Sequence, residues 1–413
     1  MYGPGKLDDN VRTMKVLVAD KFEDSGRRGL AEIGCDVAYD PDVSGDTLLA
    51  AVKSTAADVL VVRSSQVTRP MLEGGNLQLV VRAGAGTNTI DVEAASERGI
   101  WVANCPGKNA IAVAELATGL MLALDRHIAD GTADLKSGKW NKKRYAQARG
   151  LFGRTLGVIG AGTIGLEVIK RAHAFGMHVI AWDKHLPAAK AEELNITLMA
   201  SPTEVAAAAD ILTVHLALVP ETRGLIGDGV FASMKQGTIF INTSRAEVVD
   251  QASLERAVKE RGIRAGLDVF AEEPSGGVGD VDAHIFKLPG VIGTHHIGAS
   301  TDQAQEAIAE ETVRIVRLFK ETGRPANVVN LAKKSPATHL LAVRHYDRVG
   351  VLAAVFDCLK KGGINVQETE NIVFDGARAA VARIHVDRAP AGEVLTALRS
   401  CTPDVIDVSL VAL

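Results

Sequence analysis

Three glycines and an aspartate near the middle of this 413-residue chain are spaced for one kind of chemistry. Gly160, Gly162 and Gly165 form a GxGxxG turn within LGVIGAGTIG, and Asp183 closes the next apolar run, eighteen residues after Gly165. Gly160 permits a tight turn, Gly162 lets backbone N–H groups approach a pyrophosphate, and Gly165 lets a helix pack closely on a strand. The N-terminus of that helix adds partial positive charge. A carboxylate at Asp183 accepts from both ribose hydroxyls and repels a 2′-phosphate, so the pattern predicts a dinucleotide site preferring NAD to NADP. Lys184 and His185 soften that preference.

Arg245, Glu273 and His296 each close a later predicted strand. Histidine suits proton transfer near neutral pH, and a neighbouring carboxylate raises its pKa by favouring the imidazolium. An arginine orients a carboxylate and polarises a developing carbonyl. Singly, each reads as structural: a salt-bridged arginine, a glutamate beside Pro274, a histidine at a strand end. Together, after a dinucleotide turn, they fit hydroxy-acid oxidation, in which a base takes the C2 hydroxyl proton while hydride leaves C2. Upstream, Arg63 followed by Ser64, and Arg82 followed by Ala83 and Gly84, end two strands and offer planar forks for carboxylate or phosphate.

Such residues converge only if parallel sheets present their carboxyl ends together. From Met14 to Pro106 the runs KVLVAD, CDVAYD, ADVLVVRSS, LQLVVRAG and GIWVANCP alternate with helix-like segments, which predicts a parallel α/β domain. Ile111–His127 reads as an apolar helix buried between domains or subunits, followed by a basic loop with Lys136, Lys139, Lys142, Lys143, Arg144 and Arg149. A second α/β unit begins at Leu156 and continues through ILTVHLAL, GTIFINTS, RAGLDVF and GVIGTHH, the last ending at His296. An amphipathic helix, Asp302–Thr322, is expected to return to the first domain. PANVVNLAKKSPATH then reads as a linker, and the remainder spells β-α-β-β-α-β, the split βαβ order. The fold class is α/β: two doubly wound parallel-sheet lobes followed by a ferredoxin-like βαββαβ domain. The expected boundaries are 1–108 with 300–330 for a substrate-binding lobe (1–13 a loose tail), 109–299 for an NAD-binding Rossmann lobe, 331–338 for a linker and 339–413 for a small regulatory domain.

A formal charge of −4 and a pI near 6.3 give no general attraction to nucleic acid or anionic membrane. No apolar run reaches the ~18 residues of a membrane span, and no signal-peptide core opens the chain, so a cytoplasmic protein is expected. Cys35, Cys105, Cys358 and Cys401 form no CxxC pair, so neither a metal site nor a disulfide framework is expected.

GAGTIG, HLALVPETRGLI from His215, INTSRAEVVD, LDVFAEEP and HHIGAST resemble motifs of the D-isomer-specific 2-hydroxyacid dehydrogenases, and the likeness runs from about Met14 to Leu413. It implies Arg245, Glu273 and His296 as the catalytic trio. It also implies Asp183 on the adenosine ribose, Thr163 and Ile164 at the pyrophosphate, and Asp268 and Thr243 near the nicotinamide carboxamide. Ala85 and Leu216 would line the cofactor through their backbones. Arg63, Ser64, Arg82, Gly84 and Asn109 match positions around the acid, and Lys142 matches a lysine that reaches across a dimer. The final unit resembles an ACT regulatory module, with His345, Asp347 and Asn365 at positions that bind L-serine in serine-sensing members. Asp347 and Val349 depart there from the usual asparagine and proline. His295 replaces a proline, and Ala246 and Glu247 replace two glycines beside the anion site. The implied activity is NAD-dependent oxidation of 3-phosphoglycerate, opening phosphorylated serine synthesis, in a homodimer or homotetramer. Reduction of hydroxypyruvate, glyoxylate or 2-oxoglutarate is the alternative, and an NAD-sensing corepressor-like protein is a third reading.

Overall fold

A computed structural model describes residues 12–274 and 278–413. Residues 1–11 of the expected tail lie outside the described residues, and Arg12 pairs with Asp58 at 3.3 Å. The chain divides into two compact units that part between Asn330 and Leu331.

The first unit contains two parallel sheets. One is built from β1 (Lys15–Val18), β2 (Asp36–Tyr39), β3 (Val59–Val62), β4 (Leu79–Arg82) and β5 (Trp101–Asn104), in the order β2-β1-β3-β4-β5. Its central strands are runs of valine and leucine because apolar clusters cover both faces. The order turns around between β1 and β3, and Asp20 and Arg63 follow those two strands. The other sheet comprises β6 (Thr155–Ile159), β7 (His178–Trp182), β8 (Thr197–Leu198), β9 (Ile211–Val214), β10 (Ile239–Asn242), β11 (Arg264–Leu267) and β12 (Val291–Gly293). Its order, β12-β11-β10-β9-β6-β7-β8, turns around between β6 and β9, a crevice where such sheets bind ligands.

Several elements differ from the sequence reading. The apolar helix, Ala110–Asp125, buries Ala114, Ala117, Leu120, Met121 and Leu124 against its own lobe's sheet, although Ile111 stays exposed. The basic stretch is partly helical, as Ile128–Lys136 and Lys142–Tyr145; Asn141 caps the second by accepting from the Arg144 amide at 3.0 Å. The last strand stops at Gly293 rather than reaching His296. Helix Asp302–Thr322 does return to the first sheet, burying Ile308, Ala309, Val313, Ile315, Val316 and Phe319 with β1 and β3. The stretch read as linker begins docked: the Val329 amide donates to the Val102 carbonyl at 2.8 Å, and Asn330 bonds both Val102 and Ile100.

The second unit forms one antiparallel sheet of β13 (His339–Tyr346), β14 (Val366–Val373), β15 (Ala379–Val386) and β16 (Val405–Ala412), ordered β14-β15-β13-β16. Helices Val351–Lys361 and Gly392–Ser400 supply Val355, Leu359 and Leu398 to its core with Leu341, Val343 and Ile384. Among the described residues no helix is long and apolar enough to cross a membrane.

Candidate active site

The glycine turn between β6 and helix Thr163–Ala174 has the geometry its spacing predicts. Gly160 has φ +95°, and a Cβ there would stand 2.6 Å from the His215 carbonyl oxygen. A Cβ on Gly165 would overlap the Gly160 carbonyl oxygen, so only glycine allows this helix to sit so close to β6. Gly162 faces open space at the helix N-terminus, ahead of Thr163 and Ile164. Asp183 is aimed at the same turn: Oδ2 accepts from the Ala161 amide at 2.8 Å, and Oδ1 from the His185 and Leu186 amides at 2.7 and 2.9 Å. Buried polar atoms without protein partners complete this crevice. They are Thr243 Oγ1 and His215 Nδ1, the latter on a ring whose Nε2 lies 2.9 Å from Thr213 Oγ1. Burial pushes the His215 pKa down to about 3, so this imidazole is neutral. A cradle that a Cβ would fill and unspent hydrogen-bonding atoms fit a dinucleotide. Leu216 packs against the turn with its side chain, Cδ2 3.0 Å from the position of a Gly160 Cβ.

His296 lies just past β12 with φ +54°, a left-handed conformation unusual for a residue with a Cβ. Asp268 holds it there. The buried carboxylate accepts from Thr294 Oγ1 at 2.6 Å and from the Ile297 and Gly298 amides at 2.9 Å, while its carbonyl accepts the His296 amide at 3.0 Å. Asp268, which the resemblance puts near the nicotinamide carboxamide, thus also shapes the 294–298 turn. His296 Nδ1 donates to Glu273 Oε2 at 2.7 Å, and Glu273 Oε1 accepts the Phe270 amide at 2.9 Å. Nε2 is left as the free nitrogen. The Glu273 hydrogen bond raises the His296 pKa, against an opposing effect of burial and of Arg245.

Arg245 extends from a turn braced by buried Asn242, whose Oδ1 accepts from the Ser244 amide and hydroxyl at 3.0 and 2.8 Å. Its Nη1 donates to the Ser244 carbonyl at 2.7 Å, and its Nη2 lies where a Cβ on Gly86 would be. The guanidinium therefore crosses to the first lobe. There it meets Arg82, whose pKa is pushed down to about 10 by burial and then by Arg245 and Arg63. A Cβ on Gly84 would overlap Arg82 Nη1, and Arg82 Nε is buried without a partner. Arg82 and Arg245 both reach the Gly84–Gly86 loop, and Arg63 follows Val62, the β3 partner of Arg82, so three cationic residues meet at one strand-end region suited to an anion. Asn109 Oδ1 is also buried and unpartnered, and the Ala85 carbonyl accepts from Asn104 Nδ2 at 2.5 Å.

Other expected residues stand elsewhere or are otherwise engaged. Ser64 donates its hydroxyl to Asp20 Oδ1 at 3.2 Å, which removes its proton from substrate binding. Lys142 is exposed and forms no ion pair with a described residue. Glu247 is exposed on the 3-10 turn Ala246–Val248 and bonds none of the arginines. In the second unit His345 is buried, with Nδ1 2.8 Å from the Tyr346 carbonyl and Nε2 3.1 Å from Asn371 Oδ1. Asn365 lines an open groove of about 570 Å³ with Phe356, Leu359 and Lys360, but neither His345 nor Asp347 lines it. Among the described residues no three His, Cys, Asp or Glu side chains cluster as for a metal. Asp20, Asn104 and Asn242 were missed because their roles depend on neighbours distant in sequence; their only signal is a polar residue at a strand end.

Residues 118–298 match the family model described as D-isomer specific 2-hydroxyacid dehydrogenase, NAD binding domain. A D-3-phosphoglycerate dehydrogenase of Methanocaldococcus jannaschii is 43% identical over 326 residues, 77% of this chain and 60% of the relative. The chain thus spans about three fifths of that relative's length. A hydroxypyruvate reductase of Thermotoga maritima is 45% identical over 269 residues, 64% of this chain and 85% of the relative. Among solved structures, NAD+-bound 3-phosphoglycerate dehydrogenase of Entamoeba histolytica superposes with a TM-score of 0.64 at 26% identity, covering 78% of this chain and 99% of that one. With a relative covered across most of its length at this identity, the chain belongs to the D-isomer specific 2-hydroxyacid dehydrogenase family.

Proposed function

We propose that this protein oxidises D-3-phosphoglycerate to 3-phosphohydroxypyruvate with NAD. The observation that carries the reading is the pairing of a Glu273-bound His296 with an Arg245 that reaches the Gly84–Gly86 loop beside Arg82, at the strand ends that also carry Arg63. That combination serves an acid bearing two anionic groups, and relatives named D-3-phosphoglycerate dehydrogenase support it. NAD, held by the glycine turn and Asp183, supplies the hydride acceptor. His296 Nε2 takes the C2 hydroxyl proton, and Glu273 stabilises the imidazolium that forms. Arg245 fixes the carboxylate and the oxygen that becomes a carbonyl. Arg82 and Arg63 neutralise the remaining negative charge.

A second reading, reduction of an unphosphorylated 2-oxo acid, is favoured by the hydroxypyruvate reductase relative and by Glu247 beside the arginine turn. Steady-state NAD reduction with 3-phosphoglycerate at alkaline pH, with product removed, separates the two. Turnover supports the first; NADH oxidation by hydroxypyruvate with no turnover of the phosphorylated acid supports the second. The same proposal takes the second unit as an ACT module and the protein as a cytoplasmic homo-oligomer in which Lys142 reaches a partner. The exposure of Ile128, Leu135 and Trp140 beside Lys142 supports the assembly. Asp347 makes the serine response the open part of the reading: inhibition by millimolar serine supports it, and indifference restricts the module to another effector.

A further inference from the structure

Asp20 follows β1 and is only 9% exposed, yet it forms no ion pair with a described residue. The turn after β3 satisfies it instead. Oδ2 accepts the backbone N–H groups of Arg63, Ser64 and Ser65 at 2.6, 3.0 and 3.0 Å, and Oδ1 accepts the hydroxyls of Ser64 and Ser65 at 3.2 and 3.0 Å. Three successive amides converging on one oxygen make an anion-binding nest. Because the sheet order turns around between β1 and β3, this nest occupies the crevice where a doubly wound sheet accepts its ligand. The chain's own carboxylate fills it.

Arg63 is the first residue of that turn, and its guanidinium has no ion-pair partner among the described residues. Arg63 follows Val62, the β3 residue paired with Arg82 on β4, so a like charge stands at the neighbouring strand end. In the absence of an anion, like-charge repulsion favours swinging the turn outward, and the Asp20 bonds oppose that motion. We propose that Asp20 is a positioning residue for the acid site, clamping the Arg63–Ser65 turn so that Arg63 is pre-aligned beside Arg82 and recognition of the anion falls to guanidinium side chains. The turn's amides and hydroxyl protons are already committed. This inference rests on the reading of Arg63, Arg82 and Arg245 as the acid-binding cluster.

The test is a double-mutant cycle on the full-length protein, with KM for 3-phosphoglycerate and for NAD read separately. Asp20→Ala removes the clamp and is expected to raise the acid KM at least tenfold while leaving the NAD KM within twofold. Asp20→Asn keeps the shape but replaces charge-assisted bonds with weaker neutral ones, and is expected to raise the acid KM about threefold. In an Arg63→Ala background, both substitutions should change the acid KM by less than twofold, since the residue they align is gone. A purely structural role would lower the concentration of active enzyme, and so the apparent kcat, without moving KM. The Asp20 role is overturned if Asp20→Asn leaves the acid KM at the parent value while Arg63→Ala raises it, or if the effects of Asp20 and Arg63 are additive. An Arg63→Ala variant with the parent's acid KM instead removes the acid-cluster reading itself, and this inference with it. Asp20→Asn preserves the packing, so the cycle remains readable even if Asp20→Ala does not accumulate as folded protein.

Discussion

The hydrogen bond from His296 to Glu273 sets the direction of a measurable pH dependence. It raises the histidine's pKa, so the imidazolium persists to higher pH than an isolated ring would allow. Oxidation needs the neutral ring and should accelerate as pH climbs through that pKa; reduction needs the proton and should slow across the same window. Glu273→Gln should move both transitions to lower pH, which kcat/KM profiles in the two directions would reveal. An unmoved midpoint would mean that Glu273 does not tune the base. Arg245→Ala should raise the acid KM more than His296→Ala does, because arginine binds the ground state, whereas loss of the histidine should lower kcat roughly 10²–10⁴-fold. Equal KM values would defeat that division of labour. Asp183→Ala should weaken NAD binding and relax discrimination against NADP, read from the ratio of the two kcat/KM values. The His296–Glu273 pairing and the close glycine turn were legible because their residue types are restricted by chemistry and backbone geometry. Asp20 was not. A single aspartate closing an apolar run resembles any solvated strand end, and its meaning appears only once β1 and β3 are neighbours. Asp268 is singled out by the family resemblance, but its bonds to the turn were hidden likewise, since they exist only after the 294–298 stretch turns back over β11.

Helices were read more accurately than strand ends. Asp302–Thr322 matches its amphipathic pattern at both termini, with Thr301 accepting from the Ala304 amide at the start and Gly323 in a left-handed conformation at the end. Strands were read too long because apolar residues continue past the last ladder bond, and β12 ends three residues before His296. The same helix carries Glu311, a buried carboxylate that accepts from Arg314, from Lys108 at 3.3 Å and from Asn327 at 2.7 Å. The Arg314 hydrogen bond is the largest cause of a pKa held down to about 2 from the ordinary 4.5. A depressed carboxylate contributes its full stability above its ordinary pKa and loses it as pH falls towards the folded-state value. Glu311→Gln should therefore destabilise the first unit by about 3 kcal/mol at neutral pH and by almost nothing near pH 2. Urea midpoints at the two pH values test this; an equal cost at both would show that packing, not charge, makes the contribution. Lys108 lies between β5 and the Ala110–Asp125 helix, so Glu311 fastens this crossover to the returning helix.

At the scale of the molecule, every residue assigned to proton transfer, cofactor or acid lies in the unit that ends at Asn330. A chain cut after Asn330 should keep its kcat within about threefold, since no assigned catalytic group is lost, while any response to serine disappears. A tenfold fall in kcat would show that the β13–β16 unit supports the catalytic unit. Helical periodicity fails after Arg324, but the docking of Asn327–Asn330 on β5 was not legible, because asparagine side chains acting as strand partners leave no periodic trace. The crowded guanidiniums of Arg63, Arg82 and Arg245 have a practical consequence for a protein of net charge −4. Their mutual repulsion is relieved by any compact dianion, so sulfate or phosphate buffer should both raise the melting temperature and compete with the acid, in proportion to occupancy. Rates compared between a phosphate and a zwitterionic buffer would then differ through the apparent KM alone, and the buffer itself becomes a probe of the arginine cluster.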